Sequence, residues 1–125
     1  MKILSVRQPY AWLIARGMKA IENRTWTTRY RGPVLIHASQ KLARTSIEEI
    51  EFKFGVWIPR DALRCGGVIG SAELVDVVTT HSSRWFEGPF GFVFQSAQMV
   101  PFVACNGSLG LRDVPLDFMD SIGTE

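Results

Sequence analysis

The apolar residues of this chain come in short runs, rich in β-branched and aromatic side chains and cut repeatedly by glycine and proline. Such runs read as strands, and a chain built of many of them must pair them into one sheet or barrel. Residues 3–6, 34–39, 68–78, 90–94, 100–103 and 108–111 all have this character. In the longest, 68–78, the apolar face shifts around Ala72, which predicts a bulge or a strand curling around a barrel. Only two stretches have helical spacing. Residues 10–16 follow Pro9, which suits a first helical turn, and stop at Gly17; at about two turns this helix must pack on the sheet. Ser46-Ile47-Glu48-Glu49 is a capping box, opening a helix with an Ile47/Ile50/Phe54 stripe that Gly55 closes. The expectation is one α+β domain over residues 1–125, a small closed or half-closed mixed β-barrel with two short flanking helices.

Composition narrows the function classes. Hydrophobic residues make up 46% and charged residues 21%, as in an ordinary folded domain. No apolar run approaches the roughly 18–20 residues needed to cross a bilayer. The first residues lack the pattern of a signal peptide, so a cytoplasmic protein without membrane contact is expected. Cys65 and Cys105 have neither CxxC spacing nor a nearby histidine, and read as reduced thiols. His37 and His81 lie 44 positions apart, so no metal is expected. Phosphate-loop, nucleophile-elbow and zinc-protease motifs are absent from the sequence, and the glycines at 66, 67 and 70 precede strand-like residues. No cofactor is expected, and no protein partner is identified.

Charge is divided along the chain. Residues 1–64 hold twelve Lys or Arg against five acids, a net +7, whereas residues 65–125 carry −5. Residues 1–44 alone carry +8. This asymmetry suggests an anionic partner, nucleic acid first among them, unless folding intermixes the two halves.

The segment 20–26 is the anomaly. Period two puts Glu22, Arg24 and Trp26 on one strand face and Ile21, Asn23 and Thr25 on the other, so neither face is cleanly apolar. Lys19 sits at the preceding helix-to-strand corner. Two readings are open: a surface ion pair between Glu22 and Arg24, worth under about 1 kcal/mol, or a pocket. In the pocket, Lys19 and Arg24 meet phosphate or a carbonyl oxygen, Glu22 orients them, and an aromatic wall stacks a planar ligand.

Gly17-x-Lys19-x-x-Glu22-x-Arg24 resembles the G-x-K-x-x-E-x-R signature of ASCH domains. The flanking blocks 4–12, 31–39 and 67–72, and Trp85-x-x-Gly88-Pro89-x-Gly91-Phe92, are similar to small bacterial and phage members of that family. The resemblance implies a PUA-like barrel, a cleft lined by the signature, and a role in binding RNA, a nucleoside or a nucleotide. It also implies an alternative, a small amidohydrolase acting on a modified nucleoside such as N4-acetylcytidine. In such enzymes a threonine three positions after the lysine is the nucleophile. Here that place holds Glu22; Thr25, Thr27 and Thr28 lie off it. Lys19 and Glu22 would then be the catalytic pair, with Glu22 activating water.

Further candidates surround the signature. Gln8, with Pro9 and Tyr10, stands where strand meets helix, to bond a base edge or cap the helix. Trp26 would stack a base, at roughly 1–3 kcal/mol. His37 and Ser39 share a strand face, His37 either as a satisfied core residue or as part of the cleft. Trp85 would wall the cleft from its Gly/Pro-bounded loop. Glu73 is expected to face solvent.

Overall fold

A computed structural model describes residues 1–114 and Phe118. Asp117, Asp120 and Glu125, three acids of the negative half, lie outside the described residues.

The elements are β1 (Lys2–Gln8), α1 (Tyr10–Ala15), β2 (Ile21–Arg24), β3 (Gly32–Leu42), α2 (Ile47–Phe54), a 3-10 turn (Arg60–Ala62), β4 (Gly67–Val78), β5 (Phe90–Ala104) and β6 (Leu111–Asp113). Six strands form one mixed sheet in the order β2-β5-β4-β3-β1-β6. β1 and β3 run parallel; every other neighbouring pair is antiparallel. The α+β class is as expected, but the barrel does not close, because β2 and β6 remain the two edges. A side chain spans part of the gap instead: Arg24 Nη2 on β2 donates to the Ser5 carbonyl of β1 at 2.8 Å.

Helix α1 lies on one face of the sheet, where Ala11, Leu13, Ile14 and Ala15 are fully buried among Leu4, Ile36, Leu74 and Phe92. Trp12 belongs to the same core. Gly70 allows this approach, since a Cβ there would lie 2.5 Å from the Ala15 Cβ. On the opposite face Ile3, Leu35 and Val68 form a smaller cluster with Val100, Val103 and Phe118.

Strand β5 corrects the sequence reading. It runs unbroken through the polar stretch separating 90–94 from 100–103, because a bulge at Ser96 (φ 54°) absorbs an extra residue against β4. The register shift between Ser71 and Glu73 falls at Ala72, where the sequence pattern changes face, and Glu73 is exposed. Strand β6 begins at Leu111 rather than Ser108, whose amide is drawn to Ser5 Oγ at 3.1 Å. Around α2 the capping box forms as read: Ser46 Oγ accepts the Glu49 amide at 3.1 Å, and Gly55 closes the helix at φ 66°. No helix of the described residues is long and apolar enough to cross a membrane.

Candidate functional site

Helix α1 ends in a Schellman turn. Gly17 N–H reaches the Ile14 carbonyl and Met18 N–H the Leu13 carbonyl, each at 2.9 Å, with Gly17 at φ 76°. The Lys19 amide also returns to the Leu13 carbonyl at 3.1 Å, so the chain folds under the helix and carries Lys19 inward. The Gly17–Lys19 spacing therefore has a mechanical cause.

Lys19 is only 3% exposed. Its ammonium donates to the Ile21 carbonyl and to Glu22 Oε1, the latter at 2.9 Å. It also lies 5.0 Å from the Tyr10 ring centroid and 5.7 Å from that of Trp85. Arg24 takes the other carboxylate oxygen, with Nη2 at 2.9 Å and Nε at 3.2 Å from Glu22 Oε2. The Glu22–Arg24 ion pair forms, but not on the surface, since Glu22 is buried and the Arg24 side chain is only 20% exposed. Two cations share one carboxylate, so the cluster carries one excess positive charge. Burying charges without partners is costly, and the carboxylate between the two cations offsets that cost.

Aromatic rings stand over this cluster. Trp85 stacks on Phe54 of α2 with centroids 3.6 Å apart and planes 12° from parallel. Asn23 fixes the Trp85 loop: its Nδ2 donates to the Trp85 carbonyl at 2.9 Å, and its Oδ1 accepts from Glu87 and Gly88 at 2.8 and 3.0 Å. Next to these rings lies an open cavity of about 480 Å³, lined by Tyr10, Thr45, Glu48, Glu49, Phe54 and Glu87 among others. Burial pushes the Tyr10 phenol up from its ordinary value; a hydrogen bond with Thr45 opposes this, and the Glu87 and Glu22 carboxylates add to it.

Lys19, Glu22, Arg24, Tyr10 and Trp85 are thus brought together, whereas the other sequence candidates are dispersed. Trp26 lies past the end of β2 and meets Phe92, the partner of Glu22 in register, edge-on at 5.0 Å. Gln8 is buried with both ends of its amide occupied: Oε1 accepts the Trp12 amide and Nε2 donates to the Arg64 carbonyl, each at 2.9 Å. Pro9 is buried beside it. Of the two uses open to Gln8, this arrangement is helix capping. His37 is 1% exposed and lies with Ser39 at a different cavity. Its Nε2 donates to the Cys105 carbonyl at 2.8 Å, and its Nδ1 pairs with Ser5 Oγ at 3.2 Å. Three residues that position the site escaped the sequence reading: Ser5, Asn23 and Phe54. Only Asn23, a lone amide inside a strand, carried a local signal.

The ASCH domain model matches residues 4–104. The chain is 32% identical over 107 residues to human activating signal cointegrator 1, a match covering 80% of this chain and 18% of that protein. With the mouse protein it shares 30% identity over 101 residues, 75% of this chain and 17% of the relative. It therefore spans under a fifth of these relatives. The fold resembles the crystal structure of ASCH from Zymomonas mobilis, with TM-score 0.58, 14% identity and coverage of 95% of this chain and 90% of that one. A substitution variant of the same protein gives TM-score 0.61 at 14% identity, covering 96% and 92%.

Proposed function

The chain belongs to the ASCH-domain family, and from that premise we propose that it is an RNA- or nucleotide-binding module whose cleft receives a nucleobase. The observation carrying this reading is the buried Lys19 ammonium, paired with Glu22 and roofed by the Tyr10 and Trp85 rings. Flat rings suit any base, and an ammonium beneath them suits a base carbonyl oxygen. The adjoining cavity carries Glu48, Glu49 and Glu87 against Lys53, an excess of carboxylates that disfavours a phosphate there and favours the base over the backbone in the cleft. Arg24, held by Glu22 and Ser5, is in this reading a positioning residue. A cytoplasmic setting belongs to the same reading.

The amidohydrolase alternative has less support. Lys19 and Arg24 together donate three hydrogen bonds to the Glu22 carboxylate, which leaves about one acceptor position for a water. Thr25 and Thr27 are exposed, and Thr28 Oγ1 accepts the Tyr30 amide at 3.1 Å.

Titrating a single-stranded oligoribonucleotide at several salt concentrations tests the reading. Trp85→Ala is expected to weaken binding by about 1–3 kcal/mol, while phosphate contacts elsewhere preserve the salt slope. Unchanged affinity in both Trp85→Ala and Lys19→Met would refute base recognition in the cleft.

A further inference from the structure

On the sheet face away from α1 lies a second cavity, of about 500 Å³, lined by His37, Ser39, Gln40, Gly66, Asn106 and Gly107 among others. No carboxylate lines it among the described residues. Along β1 Val6 and Gln8 are buried and Arg7 between them is exposed, which puts Arg7 on the same face as Ser5. Arg112 stands opposite Ile3 in the β1–β6 ladder, which places it there too. Arg112 Nη2 donates to the Asn106 carbonyl at 3.0 Å, and its buried Nε has no partner among the described residues.

The loop at the cavity's edge is tied down on both sides. The His37 Nε2 proton goes to the Cys105 carbonyl, and the Ser108 amide goes to Ser5 Oγ. Between these anchors the chain presses so closely on the pair that a Cβ at Gly107 would lie 2.9 Å from both His37 Cε1 and Ser5 Oγ. The amides of Asn106 and Gly107 donate to no other described residue. Asn106 and Gly107 are both exposed, and backbone amides beside a guanidinium offer donors to an anion.

We propose that this cavity is a second ligand site, for a phosphate group, held by the Asn106 and Gly107 amides with Arg7 and Arg112. The phosphate belongs either to a free nucleotide or to an RNA strand. The site stands apart from the base-binding cleft and does not depend on it. Ser5 joins the two, because its carbonyl accepts from Arg24 and its hydroxyl pairs with His37.

Amide and indole NMR spectra of the full chain, titrated at constant ionic strength, test this. Inorganic phosphate is expected to shift Asn106, Gly107 and Ser108 saturably. Arg7→Gln, an exposed substitution, should weaken this about threefold, and Arg7→Gln with Arg112→Gln at least tenfold. Shifts that fail to saturate, or affinities unchanged in Arg7→Gln and in the folded double variant, would overturn the site. A nucleoside monophosphate matching an oligoribonucleotide supports the site with a free nucleotide as the source; much tighter binding of the oligonucleotide supports it with a strand. Oligonucleotide shifts at Trp85 without Gly107 would overturn this site and spare the cleft. Shifts at Gly107 without Trp85 would support this site and overturn the cleft reading.

Discussion

Arg24 Nη2 lies 2.8 Å from the Ser5 carbonyl and 2.9 Å from Glu22 Oε2, so one guanidinium ties the buried carboxylate of β2 to β1, a strand with which β2 shares no ladder. Nε of the same planar guanidinium adds a bond to Glu22 Oε2 at 3.2 Å, and a lysine ammonium has no second nitrogen to supply it. Arg24→Lys is therefore expected to lose about 1–2 kcal/mol of stability, read by urea unfolding. Wild-type stability in Arg24→Lys would show that the bridge is incidental.

Removing different members of the cluster should have unequal cost. Glu22→Gln leaves Lys19 and Arg24 facing each other without a counter-charge and is expected to destabilise by about 3–5 kcal/mol. Lys19→Met leaves Glu22 paired with Arg24 and keeps most of the apolar stem, so about 1–2 kcal/mol is expected. Equal losses in denaturant midpoint at equal slope would contradict shared neutralisation.

Tyr10 links the cleft to pH. Burial raises its phenol above the ordinary value of 10.0, so the native state holds the proton more tightly than the unfolded chain. Its contribution to stability is complete below that pH and is lost as pH rises through the folded value. Stability should fall more steeply above pH 10 in wild type than in Tyr10→Phe, as followed by urea midpoints. Parallel profiles would remove Tyr10 from this role.

Phe54 is the wall that α2 contributes. Phe54→Ala should strip one face of Trp85, red-shift the tryptophan emission, and cost about 1–2 kcal/mol in binding of a mononucleoside. Unchanged emission would mean that the stack with Trp85 does not persist in solution.

The parts of the site legible in the sequence are those set by local geometry. The Schellman turn at Gly17 delivers Lys19, and period two aligns Glu22 with Arg24; both effects span a few residues. Trp85 was legible as an aromatic in a Gly/Pro-bounded loop. Ser5, Asn23 and Phe54 were not, because their partners are distant: Asn23 meets Trp85 62 positions away, and Ser5 meets His37 32 away. Gln8 stands out in the sequence by its place where strand meets helix, and His37 by its place with Ser39 on one strand face. Each is buried with its hydrogen bonds met inside the fold, which residue type alone does not reveal. The barrel also stayed open for a long-range reason: sequence patterns show strand faces, whereas closure depends on which edges meet.

The most direct test of the central claim follows the Trp85 indole and the Lys19 side-chain signals by NMR while a neutral nucleoside is added to the full chain. Without a phosphate, the ligand makes no phosphate contact and reports on the cleft alone. Saturable shifts at Trp85, Tyr10 and Lys19, lost in Trp85→Ala, are the predicted result. Silence at all three positions up to the nucleoside's solubility limit would contradict it.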